Sequence, residues 1–135
     1  MLYRKYLLII TMAVLTGCAT TLQKQASGFA AVEGKTYDEV FPKVVQAAID
    51  SGLVVTKAEK ENGFILATAS NNPFLTSNAP AINIIVLDLG ETVNVTVKST
   101  VHGQLIDYGT SKNNILGFCN SFSAFFPSTN CTFAE

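Results

Sequence analysis

The sequence predicts an α+β fold: two amphipathic helices covering one face of a four-stranded, mainly antiparallel sheet, in the order helix, four strands, helix. Three observations carry this. Apolar residues recur at helical spacing in two stretches, around Tyr37–Ile49 and Ile115–Phe126. Four short segments rich in Val, Ile and Leu lie between them. Turn-forming residues separate those segments at hairpin distances, which favours antiparallel neighbours in a two-layer domain.

The first helix is expected from about residue 37 to 51. Thr36 and Glu39 have capping-box spacing, and Asp38 adds negative charge at the positive end of the helix dipole. Tyr37, Val40, Phe41, Val44, Val45, Ala48 and Ile49 form one stripe, and Gly52 is a natural stop. Pro42 lies inside this span and predicts a distorted first turn; the alternative is a helix that starts nearer Pro42.

Leu53 to Ala58 is the first expected strand, and Glu61-Asn62-Gly63 turns the chain into Phe64 to Ala69. Ser70 to Pro80 is a loop by its Asn, Pro and Ser content, yet it carries Phe74 and Leu75. Ile82 to Leu87 is the third strand. Ile85 and Leu87 fall on the opposite side from Ile82, Ile84 and Val86, so this strand is apolar on both faces and its second face calls for a cover: the tail, the tether or a partner. From Val93, alternation with Asn94, Thr96 and Lys98 marks a strand with one dry and one wet face, continuing through Val101 toward Ile106. The last helix starts near Thr110 or Ser111. Its stripe is Ile115, Leu116, Phe118, Cys119, Phe122, Phe125 and Phe126, and Pro127 ends it.

The N-terminus sets the domain organisation. Arg4 and Lys5 precede an apolar run, Leu7 to Leu15, too short to cross a bilayer, and Leu15-Thr16-Gly17-Cys18 follows. This reads as a secretory signal over residues 1–17, cut so that Cys18 carries lipid. Residues 18–34 then form a lipidated, flexible tether, and 35–135 a single α+β domain. Removing the signal leaves 118 residues with seven basic against ten acidic side chains. A weakly acidic chain without a basic cluster argues against nucleic acid as partner.

Of three cysteines, Cys18 is assigned to lipid, which leaves Cys119 and Cys131 either as a disulfide or as two unpaired thiols. The disulfide would contribute roughly 3 kcal/mol through loop-closure entropy.

No catalytic constellation emerges. His102, the only histidine, has Asp107, Ser99, Thr100, Ser111 and Ser121 within a short stretch of chain, but no nucleophile-elbow motif accompanies it. No metal-ligand spacing and no phosphate-binding glycine loop occurs, so neither a metal nor a cofactor is expected. The phenylalanine-rich last helix either packs on the sheet or lines a hydrophobic cavity. Phe74 and Leu75 either tuck onto the core or stay exposed as a partner contact.

At Leu-Thr-Gly-Cys the chain resembles bacterial lipoproteins. The resemblance implies diacylation and cleavage before Cys18. Ala19, where Asp would signal inner-membrane retention, implies the outer membrane facing the periplasm; in a Gram-positive host the motif implies the outer face of the cell membrane. The later part, K-T-Y-D-E-V-F opening a helix and then G-L-V-V and E-N-G-F-I-L, resembles small uncharacterised α+β envelope lipoproteins. More loosely it is similar to the helix-grip modules of an outer-membrane assembly lipoprotein. The functional expectation is a non-enzymatic, membrane-anchored lipoprotein that binds another envelope protein as an accessory or assembly factor. The alternative is a carrier or sensor of a hydrophobic ligand held between helices and sheet.

Overall fold

The computed structural model of the protein describes residues 24–69, 80–101 and 110–134. The elements are β1 (Lys24–Glu33), α1 (Tyr37–Asp50), β2 (Val54–Glu59), β3 (Phe64–Thr68), β4 (Ala81–Asp88), β5 (Thr92–Val101), α2 (Thr110–Phe125) and β6 (Thr132–Ala134). The fold is α+β, with an antiparallel sheet and two helices. Two strands beyond the expected four are present, one before the first helix and one after the second. The sheet order is β2-β3-β4-β5-β1-β6.

The stretch assigned to a tether is therefore corrected. Residues 24–33 are a strand paired along its whole length with β5, from Lys24 opposite Val101 to Glu33 opposite Thr92, so the folded unit includes this stretch. The inward residues of β1 are Ala26, Gly28, Ala30 and Val32, whose small side chains give little hydrophobic signal although Ala30 and Val32 are fully buried. They are small because α2 lies close. A Cβ added at Gly28 would stand 2.8 Å from Ile115 Cγ2 and 3.0 Å from Val97 Cγ1.

The first helix has the expected capping box. Thr36 Oγ1 accepts from the Glu39 N–H at 3.3 Å, and the Glu39 carboxylate accepts from the Thr36 N–H at 2.9 Å. Pro42 is accommodated inside the helix. Gly52, at φ +88°, stops it, and the Leu53 N–H returns to the Ala48 carbonyl at 3.1 Å. At the β2–β3 turn, Gly63 adopts φ +64°, and an added Cβ would press on the Val86 carbonyl, so this turn admits only glycine.

Both helices cover the same face. Val40, Phe41, Val44, Ala47 and Ala48 of α1 share one buried core with Ile65, Ala67, Ile82, Ile84 and Val86 of β3 and β4. Ile115, Phe118, Cys119 and Phe122 of α2 meet Val93, Val95 and Val97 with β1. Phe118 stacks on Phe122 within α2, and Phe122 in turn makes a tilted contact with Phe126 just past the helix end, with centroids 5.9 and 4.9 Å apart. Two residues of the expected stripes, Ile49 and Leu116, are instead exposed at the stripe margins. Cys119 is bonded to Cys131, which ties α2 to the start of β6.

Candidate interaction face

Among the described residues, the second face of the sheet is left uncovered by the helices. Its composition follows from strand alternation. In β4, Ile82, Ile84 and Val86 enter the core, while Ile85 is 37% and Leu87 51% exposed. In β1, Ala30 and Val32 turn inward and Phe29, 43% exposed, turns outward. The register carries one row straight across four strands: Phe64 stands opposite Ile85, Ile85 opposite Thr96, and Thr96 opposite Phe29. Phe64 and Phe29 are separated by three strand spacings, about 14 Å. A second row is Leu87, Asn94 and Ala31, and a third is Leu66, Asn83, Lys98 and Ser27.

The margins of this face are polar. Glu59 stands opposite Phe64 on the β2 side, and Thr132 opposite Phe29 on the β6 side. Lys57, opposite Leu66, pairs with Glu59 at 2.7 Å. The Lys57 hydrogen bond, with a second from Asn62, holds the Glu59 carboxyl below its ordinary range. Lys98 is exposed and carries no ion pair among the described residues. An apolar centre with a polar rim is the make-up of a contact surface.

The strand ends orient this face. Lys24, Val101, Ala81, Thr68 and Val54 share one end of the sheet, which is the end facing Cys18 in the sequence. The Lys98 row lies toward that end, and the Leu87 row lies away from it. At the far end an open depression of about 600 Å³ is lined by Glu33, Lys35, Thr36, Glu91, Thr92 and two glycines. Its carboxylates and ammonium are all solvent-exposed. Nearby, the Tyr37 hydroxyl donates to the Lys60 carbonyl; burial, opposed by the Lys60 charge, pushes its phenol up.

The expected site residues divide plainly. Cys119 and Cys131 come together. Cys18, Phe74, Leu75, His102 and Asp107 lie outside the described residues. Ser99 is fully buried facing the helix layer, and its hydroxyl has no hydrogen-bond partner among the described residues. Among the described residues no group of three or more His, Cys, Asp or Glu gathers as a metal site. None of the described helices is long and apolar enough to cross a membrane. Between the helices and the sheet, Phe118, Phe122, Ile65, Ile82, Ile84 and Ile115 are fully buried.

Phe29 escaped the sequence reading as a surface residue, whereas Thr96 was expected on the wet face of its strand and lies there. Phe29 stood in the supposed tether, and its only signal was the alternation of Ser27, Phe29, Ala31 and Glu33 with small residues. Ile85 and Leu87 did announce a strand apolar on both faces, but the tether and tail segments expected as possible covers join the sheet as β1 and β6.

No protein-family model matches the chain, and no curated protein does. Among solved structures it is similar to a conserved protein from Geobacillus kaustophilus at 15% identity, the match covering 83% of this chain and 100% of the other with a TM-score of 0.39.

Proposed function

We propose that this chain is a lipid-anchored envelope protein whose domain works without catalysis, by holding another envelope protein against the open face of its sheet. The observation that carries the reading is the apolar row Phe64–Ile85–Thr96–Phe29 with Leu87 beside it, left bare while the opposite face is sealed by two helices. Leu15-Thr16-Gly17-Cys18 supports the anchor, through diacylation at Cys18 and placement at the outer membrane. The nearest counterpart of the role is an accessory or assembly factor.

Two measurements test this in cells. A photo-crosslinking amino acid at Leu87 is expected to give a discrete protein adduct, and the same probe at the exposed helix position Asn120 is expected to give none. No adduct at Leu87 would remove the docking role. Separately, Cys18→Ser is expected to abolish palmitate labelling and release the protein from membranes; label and retention in that variant would refute the anchor.

A further inference from the structure

We infer that Cys131 is a site of thiol–disulfide exchange, and that reduction there releases β6 from the sheet and bares the edge of β1. The inference stands apart from the docking and anchoring reading, since it concerns the sheet edge and not the open face.

The two sulfurs differ in access. Cys119 is 7% exposed, and its Sγ lies 3.5 Å from the position a Cβ on Gly28 would take, so it sits beneath α2 against β1. Cys131 is half-buried and follows the exposed residues Pro127, Ser128 and Asn130. A thiol arriving from solvent therefore meets the Cys131 sulfur. Its thiolate attacks Cys131 Sγ, the Cys119–Cys131 bond breaks, and Cys119 leaves as a thiolate that takes a proton. With a dithiol reductant, the second thiol then attacks the mixed disulfide. Cys131 is released as a thiol, the dithiol closes into its own disulfide, and two electrons have passed to the protein.

Little else holds β6. Its three residues, Thr132–Ala134, pair with Ser27–Phe29 and with no other strand among the described residues. Thr132 Oγ1 donates to the Phe29 carbonyl at 3.2 Å, Phe133 is half-buried, and Lys112 Nζ stands 5.5 Å over its ring. Ordering a three-residue segment costs about as much as so few bonds return. The disulfide closes a ring of 12 residues' separation onto α2, and closure of that size weights the docked state about a hundredfold. The helix needs no such tie, because Ile115, Phe118 and Phe122 are fully buried and Phe126 is 4% exposed. Reduction is accordingly a local opening of the chain after Phe126.

The two sheet edges show why this latch matters. β2 carries a bulge between Val55 and Lys57 and the ion pair of Lys57 with Glu59, both of which discourage pairing with a further strand. β1 has no charged residue between Lys24 and Glu33, and β6 covers three of its ten positions. Losing β6 turns the whole of β1 into a bare edge. The disulfide thus guards the edge that lacks a defence of its own.

Hydrogen exchange of the full-length chain, oxidised and after dithiothreitol, tests the latch. Reduction is expected to speed exchange of the Ser27–Phe29 and Thr132–Ala134 amides about a hundredfold and to leave Ile82–Val86 and Val93–Val97 as they were. Unchanged exchange at β6 would overturn the latch, and faster exchange through the whole sheet would overturn its local character. The double variant Cys119→Ala with Cys131→Ser should exchange like the reduced chain with or without dithiothreitol; full protection of β6 in that variant would overturn the inference. Glutathione, quenched with acid after brief exposure, is expected on Cys131 by peptide mapping, and an adduct chiefly on Cys119 would overturn the assignment of the attacked sulfur.

Discussion

Gly28→Ala adds one methyl group at the place where α2 lies closest to the sheet. The new Cβ would meet Ile115 Cγ2 at 2.8 Å, Val97 Cγ1 at 3.0 Å and Cys119 Sγ at 3.5 Å. Carbon atoms in contact ordinarily sit about 3.5–4.0 Å apart, so the helix must recede by about 0.7 Å or a side chain must leave its rotamer. Neither escape is easy. Ile115 and Val97 are β-branched, stiff at χ1 and fully buried, and Cys119 is tied through its sulfur to Cys131. Overpacking of this kind costs about 1–3 kcal/mol. The substitution also removes unfolded-state freedom, worth about 0.4–1 kcal/mol in the opposite direction. The expected net loss is about 1–2 kcal/mol, read as a lower urea midpoint with an unchanged slope. Ile115→Ala removes the clashing Cγ2, so Gly28→Ala should be less harmful in that background, with a coupling of about 1 kcal/mol or more. A neutral Gly28→Ala, or strict additivity in the double variant, would show that the helix is not held at this distance.

The disulfide closes a loop of 12 residues' separation, and Cys131→Ser is expected to lose about 3 kcal/mol; a thermal melt unaffected by reductant would contradict this. Ser99→Ala removes a fully buried hydroxyl that has no partner among the described residues, so the variant should be neutral or more stable by up to about 1 kcal/mol, and a clear loss would reveal a bond to another part of the chain. Glu39 has its carboxyl lowered by the Thr36 backbone hydrogen bond, then by the Thr36 hydroxyl. A depressed folded value means that its stabilisation is present above the unfolded carboxylate range and disappears as pH falls through the folded value. The melting temperature of Glu39→Gln should therefore fall less steeply on acidification than that of the parent, and parallel curves would count against the cap. Thr96→Val joins the apolar stripes of β4 and β1, and light scattering should show increased self-association; an unchanged monomer would show that the polar strand is not what restrains association.

The parts of the fold legible in the sequence were those where the physical signal is local and strong. Thr36 and Glu39 specify a helix start by reciprocal hydrogen bonds three residues apart, and the structure makes both. β5 alternates valine with Asn94, Thr96 and Lys98, and those valines are buried. β1 failed to register because its inward face is Ala26, Gly28, Ala30 and Val32: the close approach of α2 selects for small side chains and so erases the hydrophobic period that marks a strand. β6 escaped for another reason. Three residues hold too few alternations to show a period, and pairing with Ser27–Phe29 depends on a contact about a hundred residues away in sequence. The open face was half legible. Ile85 and Leu87 showed on a strand apolar on both sides, whereas Phe29 joined them only through a register set by folding.

The arrangement of that face resolves two opposing demands. A docking surface needs apolar side chains in water before its partner arrives, and a broad bare sheet invites uncontrolled association. Here β5 runs between the two apolar strands with Thr92, Asn94, Thr96, Lys98 and Thr100 outward. It breaks the surface into two narrow stripes, Ile85 with Leu87 on one side and Phe29 with Ala31 on the other. Neither stripe alone is wide enough to hold a partner firmly. A partner presenting two stripes at the same spacing engages both at once, while a single hydrophobic ridge gains only one. In the proposed docking role, the polar strand thus limits what a single apolar ridge can gain and sets the spacing a partner must match.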